Sequence, residues 1–398
     1  MTPHATLLAC LTLGALTPLS AQDLTITNAR IISANAAVIE RGSIVVRAGK
    51  IVSVAPGAPA APSGRTVDAR GMTAMPGFID AHKHINTGPN EKAQMQSLLE
   101  AGYTTILSGG GPGEGGIALR DHINSGMING PRVIPSERIN LRGTSDEARA
   151  AIRAMAAKGI MHTGEIGLTP EPGPTAAEIE VLKATVDEAA KIGVQVNVHA
   201  VSTSAMVAAI DAGVRRLVHL PNKDWTSREA AAKVASTNSI VLGLIGFGAP
   251  IIDVFEKDNS PRFRDGKAWP EAIAGANKDA AGKATGTEAG YTIVNARTIW
   301  DASGGKGLAY CTDQNYADIA VLEHELKSYS LMFSMRDIFK ILGPNTAEYL
   351  HMSDQIGTLE AGKLGDIILL DGNPLDGYWN LLKTKVVVKG GVVVVDKR

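Results

Sequence analysis

The chain has 398 residues, 44% of them hydrophobic and 20% charged, which suits a soluble globular protein with a large core. Its formal net charge is -1, and no basic run or basic–aromatic interleaving is present, so nucleic acid is excluded as an expected partner. The length fits two domains or one elaborated barrel.

Residues 1–21 read as an export signal. Ala5 to Leu19 is apolar and runs into Ser20-Ala21, a small-residue cleavage context. No Lys or Arg precedes the run, and it is too short to cross a bilayer comfortably, so no membrane anchor is expected. Cys10 follows Leu-Leu-Ala, a faint lipoprotein-like pattern, but apolar sequence continues beyond it. Cleavage near Ala21 predicts a periplasmic or secreted protein whose remaining cysteine is Cys311, with no internal disulfide.

Next come short alternating segments, Leu24 to Thr27, Ser43 to Val46, Ile51 to Val54 and Arg65 to Asp68, separated by turns such as Ala48-Gly49-Lys50. The C-terminus repeats the style in Asp366 to Leu370 and in Val386 to Val395, the latter broken at Gly390-Gly391 as a hairpin. The two ends are therefore expected to meet in a small β-sandwich built from residues 22–75 and 355–398.

Over 76–354 the pattern changes to strand–helix alternation, which implies an α/β domain with a parallel sheet. The expected strands are Pro76 to His84, Thr104 to Leu107, Arg132 to Pro135, Gly159 to Glu165, Val194 to His199, Leu217 to His219, Ile240 to Gly246 and Leu308 to Asp313. Eight is the number a (β/α)8 TIM barrel needs. Thr175-x-x-Glu178 predicts a capping box, with Ile179, Leu182 and Val186 on one helical face until Gly193 stops it; Thr226-x-x-Glu229 predicts another. Residues 250–292 are longer than one connection requires and form an excursion, either a cover for the site or a surface insertion.

The chemistry-bearing residues fall at strand ends. His82 and His84 lie two apart on the first strand, so alternation points them to one side. Glu165, His199, His219 and Asp313 close the fourth, fifth, sixth and eighth strands, where barrel active sites are built. Singly, each has a structural explanation: a bonded core histidine, a helix-capping Asp, a carboxylate paired with Arg. Together they would crowd uncompensated charge unless a cation were held there. Cys311 should face the interior as a packed residue, and His162 should face away from Glu165. Lys158 is an odd number of residues from Glu165 and would also face away on a strand. His122, His324 and His351 sit in helical contexts and are expected not to be ligands. Gly109-Gly110-Gly111 lacks the motif of a phosphate cradle, which leaves close loop packing. Lys83, Arg138 and Lys223, at or just past strand ends, are candidates to hold a substrate carboxylate.

The set resembles the amidohydrolase superfamily of metal-dependent hydrolases. Pro76 to His84 is similar to that family's first-strand motif. Leu119-Arg120 through Gly130-Pro131-Arg132-Val133 resembles imidazolonepropionase- and prolidase-like members. Thr346-Ala347 and Gly357 to Asp366 resemble the family's return into the β-sandwich, and Gly164 to Leu168 resembles enamidase-like members, where a glutamate bridges two ions. The resemblance implies that His82, His84 and Asp313 hold one divalent ion, His199 and His219 a second, and Glu165 both, with zinc the default. It further implies a water made acidic by the ions, with Asp313 as catalytic base, hydrolysing a carbon–nitrogen bond of a small-molecule amide. A prolidase-like metallo-dipeptidase is the alternative within this chemistry, and a catalytically silent scaffold lies outside it. Relatives often assemble, so a homo-oligomer is compatible with the resemblance.

Overall fold

The computed structural model describes residues 23–111, 113–245, 263–264, 267–268, 285–313 and 318–398. The expected export signal lies outside them. So does most of the expected excursion, of which the described parts are the pair Phe263–Arg264 with Lys267–Ala268 and the start of helix Thr285–Ala302.

Both chain ends do meet, in one eight-stranded sheet. Its main path runs Val392–Asp396, Thr384–Lys389, Ile367–Leu370, Thr73–Pro76, Leu24–Ile31, Ile39–Arg47, Lys50–Pro56, with Arg65–Asp68 also paired to Leu24–Ile31. The pairing in this sheet is mixed, antiparallel in most places and parallel at Leu24–Ile31. Leu24–Ile31 pairs in parallel with Arg65–Asp68 along its first half and with Thr73–Pro76 at its end. Thr73–Pro76, which the sequence runs together with the next strand, is the splice, because its other edge bonds Ile367–Leu370. Gly77 separates the two strands. A Cβ there would lie 2.3 Å from Thr104 Cγ2, so only glycine lets the backbone pass. Alternation then buries both faces of the C-terminal strands. Ile367, Leu369 and Val386 join Leu24, Ile26 and Ile44 in the sheet's own core, while Ile368, Leu370 and Val387 pack into the larger core of the central region.

The central region alternates strand and helix, and every described strand pair in it is parallel save the antiparallel Phe263–Arg264 with Lys267–Ala268. Phe78–Lys83, Tyr103–Ser108 and Arg132–Ile134 form one sheet; Ser136–Glu137 pairs with His162–Thr163; Ile166–Gly167, Asn197–His199, Arg216–Val218, Ile240–Gly243 and Leu308–Tyr310 form another. The strands follow one another in space in chain order. The last approaches the first through Asp313 N–H to His82 O, 2.8 Å. The expected fourth strand is two short pieces, because Gly159 (φ +77°) still belongs to the turn after helix Ser145–Ala157, and Gly164-Glu165 leaves the ladder.

The helices start where side chains satisfy the first N–H groups. Helix Ala176–Ile192 has the expected box, Thr175 accepting from Glu178 N and Glu178 reaching back, and ends at Gly193 in the left-handed region. The second expected box is corrected. Ser227 caps Arg228–Ser236 by accepting from Ala230 N, while Thr226 gives its N–H to Asn295 Oδ1 and is buried. Among the described residues no helix is long and apolar enough to cross a membrane.

Candidate metal centre

The strand Phe78–Lys83 carries a bulge. Asp80 is opposite Ile106 and Lys83 opposite Ser108, three residues set against two. Strict alternation would leave His82 on Asp80's side, whose carboxylate bonds Thr312. The extra residue turns the imidazole instead onto Asp313, 3.0 Å away. His199 ends its strand, and Glu165 sits between the two short pieces of the fourth. His219 and Asp313 follow their strands in the left-handed region, at φ +69° and +56°. That conformation costs a non-glycine residue about 1–3 kcal/mol and gathers at functional sites. His and Asp are among the side chains that tolerate it best.

All six predicted ligands converge. Glu165 Oε2 lies 2.9 Å from His199 Nδ1, 3.4 Å from His219 Nε2 and 3.8 Å from His82 Nε2. Asp313 Oδ1 lies 3.0 Å from Nε2 of both His82 and His84, and Oδ2 lies 3.9 Å from His219 Nε2. Three overlapping triads have ligand atoms within 4.8 Å of one another: His82, His219 and Asp313; His82, His84 and Glu165; Glu165, His199 and His219.

The donor atoms fit a cation. His82 Nε2 and Asp313 Oδ1 are buried and 3.0 Å apart, and His84 Nε2 lies at the same distance from that oxygen. Such crowding of nitrogen and oxygen donors is what a shared ion would relieve. Burial pushes the Glu165 carboxyl up, but bonds to His199 and His219 and the charge of His82 hold it well below the carboxylate range. Burial likewise raises Asp313, and His82 and His84 outweigh it. His84 is raised by its bond to Asp313 against its own burial, whereas burial lowers His219. Two anionic carboxylates among four imidazoles make a nitrogen–oxygen donor set suited to a borderline divalent ion.

The substrate-binding candidates part company. Arg138 stands at the site, its Nη2 2.6 Å from Glu165 Oε1, beside an open cleft lined by Asn140, Arg142, Leu168 and Thr169. Lys83 is fully buried, and its charge acts on the Asp80 carboxyl. Lys223 is exposed on the loop after His219, its backbone bonded to Val201 O.

The residues expected to stay apart do so. Cys311 is buried among Ile79, Leu107 and Leu242. Burial pushes His162 down to about 4. Lys158 caps a helix rather than lying on a strand, and bonds Glu137. His122 pairs with Glu91, and His324 lies within helix Asp318–Ser330. His351 follows helix Thr346–Tyr349, as its helical context suggested.

The close loop packing expected of Gly109-Gly110-Gly111 is present at its first two glycines, and Gly164, which sequence reasoning missed, is its partner. A Cβ on Gly109 would be 3.1 Å from the His84 ring, and one on Gly164 would be 2.5 Å from Gly110 Cα, so these glycines let the loops bearing His84 and Glu165 meet. Asp80, buried and bonded to Thr312, was also missed; its signal is a lone carboxylate inside the apolar run Phe78 to Ala81.

The amidohydrolase family model matches residues 73–237 and 282–394. No curated protein sequence matches the chain. Solved structures do. A putative prolidase from Bifidobacterium longum superposes with TM-score 0.77 at 24% identity, over 95% of this chain and 97% of its own. A Xaa-Pro dipeptidase with bound methionine gives 0.75 at 22% identity, over 93% and 99%. An ochratoxinase from A. niger gives 0.75 at 18% identity, over 95% and 96%. With the family's model covering well over half of the sequence, the chain belongs to the amidohydrolase family and is a metal-dependent hydrolase acting on carbon–nitrogen bonds.

Proposed function

We propose that this protein hydrolyses the carbon–nitrogen bond of a small-molecule amide, linear or cyclic, with two divalent ions held by His82, His84, Glu165, His199, His219 and Asp313, zinc being the default. The convergence of all six side chains on one partly buried cluster carries the reading. The parallel strands, in chain order and joined last to first through Asp313 and His82, support a closed eight-stranded barrel spanning 76–354. The sheet of both ends supports a second unit of residues 22–75 and 355–398.

When bound, the ions would supply Lewis acidity that polarises the carbonyl and brings the pKa of a water from about 15.7 to about 7. The chain's own residues do the rest. Glu165, with an oxygen among three imidazoles, holds the ligand cluster together, and Arg138 fixes that carboxylate from the cleft side. Asp313, ionised and only partly exposed, takes the proton of the attacking water and passes it to the leaving nitrogen. His84, raised by Asp313, keeps that carboxylate oriented.

The test is hydrolysis of a panel of lactams, acyl-amines and dipeptides by purified protein before and after exhaustive chelation. Metal-restored cleavage of non-peptide amides is expected, and cleavage that survives chelation undiminished would overturn the reading. The prolidase-like alternative draws on the names of two solved relatives, and preferential turnover of Xaa-Pro dipeptides in the same panel would favour it.

A further inference from the structure

The seam between the last and first parallel strands is closed by a side chain. Asp80 is fully buried. Its Oδ1 accepts from His82 N (3.1 Å) and Thr312 N (3.2 Å), and its Oδ2 accepts from Thr312 Oγ1 at 2.5 Å. His82 O in turn accepts from Asp313 N at 2.8 Å. One carboxylate therefore grips the peptide N–H of one ligand, His82, and of the residue preceding another, Asp313. Both ligands need holding. His82 sits in a bulge, which interrupts the ladder on its other side, and Asp313 sits in the left-handed region. Their Nε2 and Oδ1 atoms are 3.0 Å apart, so a slip of the seam by one ångström would take the pair out of register for a shared ion.

We infer that Asp80, acting through Thr312, is a positioning residue that sets the spacing of His82 and Asp313 and so tunes metal affinity. The inference rests on the metal-centre reading above. Partners outside the ligand set commonly contribute about 10- to 100-fold to metal affinity.

The test is cobalt(II) titration of chelator-stripped full-length protein, read by visible absorption and by competition for affinity, with circular dichroism as a check of fold. Asp80→Asn places an amide N–H2 against donors and should weaken binding by about 10- to 100-fold. Thr312→Val keeps the shape but removes the hydroxyl and should weaken it about 10-fold, while Thr312→Ser, which keeps the hydroxyl, should restore native binding and spectrum. Should Asp80→Asn fail to fold, the Val and Ser pair at 312 decides. Native cobalt affinity and spectrum in both Asp80→Asn and Thr312→Val, even with a lowered melting temperature, would reduce the carboxylate to a fold support and overturn the inference alone. Wild-type protein that takes up no cobalt would overturn the metal-centre reading with it.

Discussion

Asp313 is asked to be ligand and base at once, and its environment suits both. It is ionised well below neutral pH and lies 3.0 Å from two imidazoles. Asp313→Asn should lower kcat by about 10²- to 10⁴-fold while circular dichroism stays native. A near-normal rate would remove its role as base. His162, on the short strand His162–Thr163, gives a pH prediction of a different kind. Its folded pKa is depressed to about 4 from 6.5, first by burial and then by the charges of His351 and Arg216. A depressed histidine stabilises the fold above the unfolded pKa, and this is lost as pH falls from 6.5 towards about 4, by at most about 3 kcal/mol. His162→Leu should flatten the denaturation free energy across that window. An unchanged slope would show that His162 titrates normally. At this scale the six converging side chains were legible because their types stand out at strand ends. The burial of Lys83 was not legible, since the bulge in its strand is announced by no local pattern.

Between elements, contact depends on glycine. Gly164 and Gly110 pass so closely that an added Cβ on Gly164 would sit 2.5 Å from backbone, and Glu165 is the next residue. Gly164→Ala should cost about 1–3 kcal/mol in unfolding free energy and reduce metal content. Gly111→Ala, where the Cβ meets nothing within 4 Å, should change neither. Equal behaviour of the two variants by chemical denaturation and elemental analysis would refute the close-packing role. Helix starts were readable from hydroxyl–carboxylate spacing at Thr175. At Thr226-Ser227 two adjacent hydroxyls both suit a cap, and tertiary contact with Asn295 decides which one is free to serve. Strand order was readable too. The division at Gly77 and the parallel pairing of Leu24–Ile31 were not, because they follow from contacts with Thr104 and with the C-terminal strand Ile367–Leu370.

For the whole molecule, one sheet made from both chain ends packs its second face on the central region, so truncating either end should destabilise the site's scaffold. Export is proposed from residues 1–21. Protein recovered from the periplasm or medium of an expressing bacterial host should begin near Gln22, and an intact Met1 in the cytoplasm would refute the proposal. Elemental analysis of natively purified protein, wild type beside Glu165→Ala, tests the convergence of the six ligands most directly. Two divalent ions per wild-type chain and a clear loss in the variant are predicted. A wild-type chain without stoichiometric metal, or a variant with an undiminished count, would contradict it.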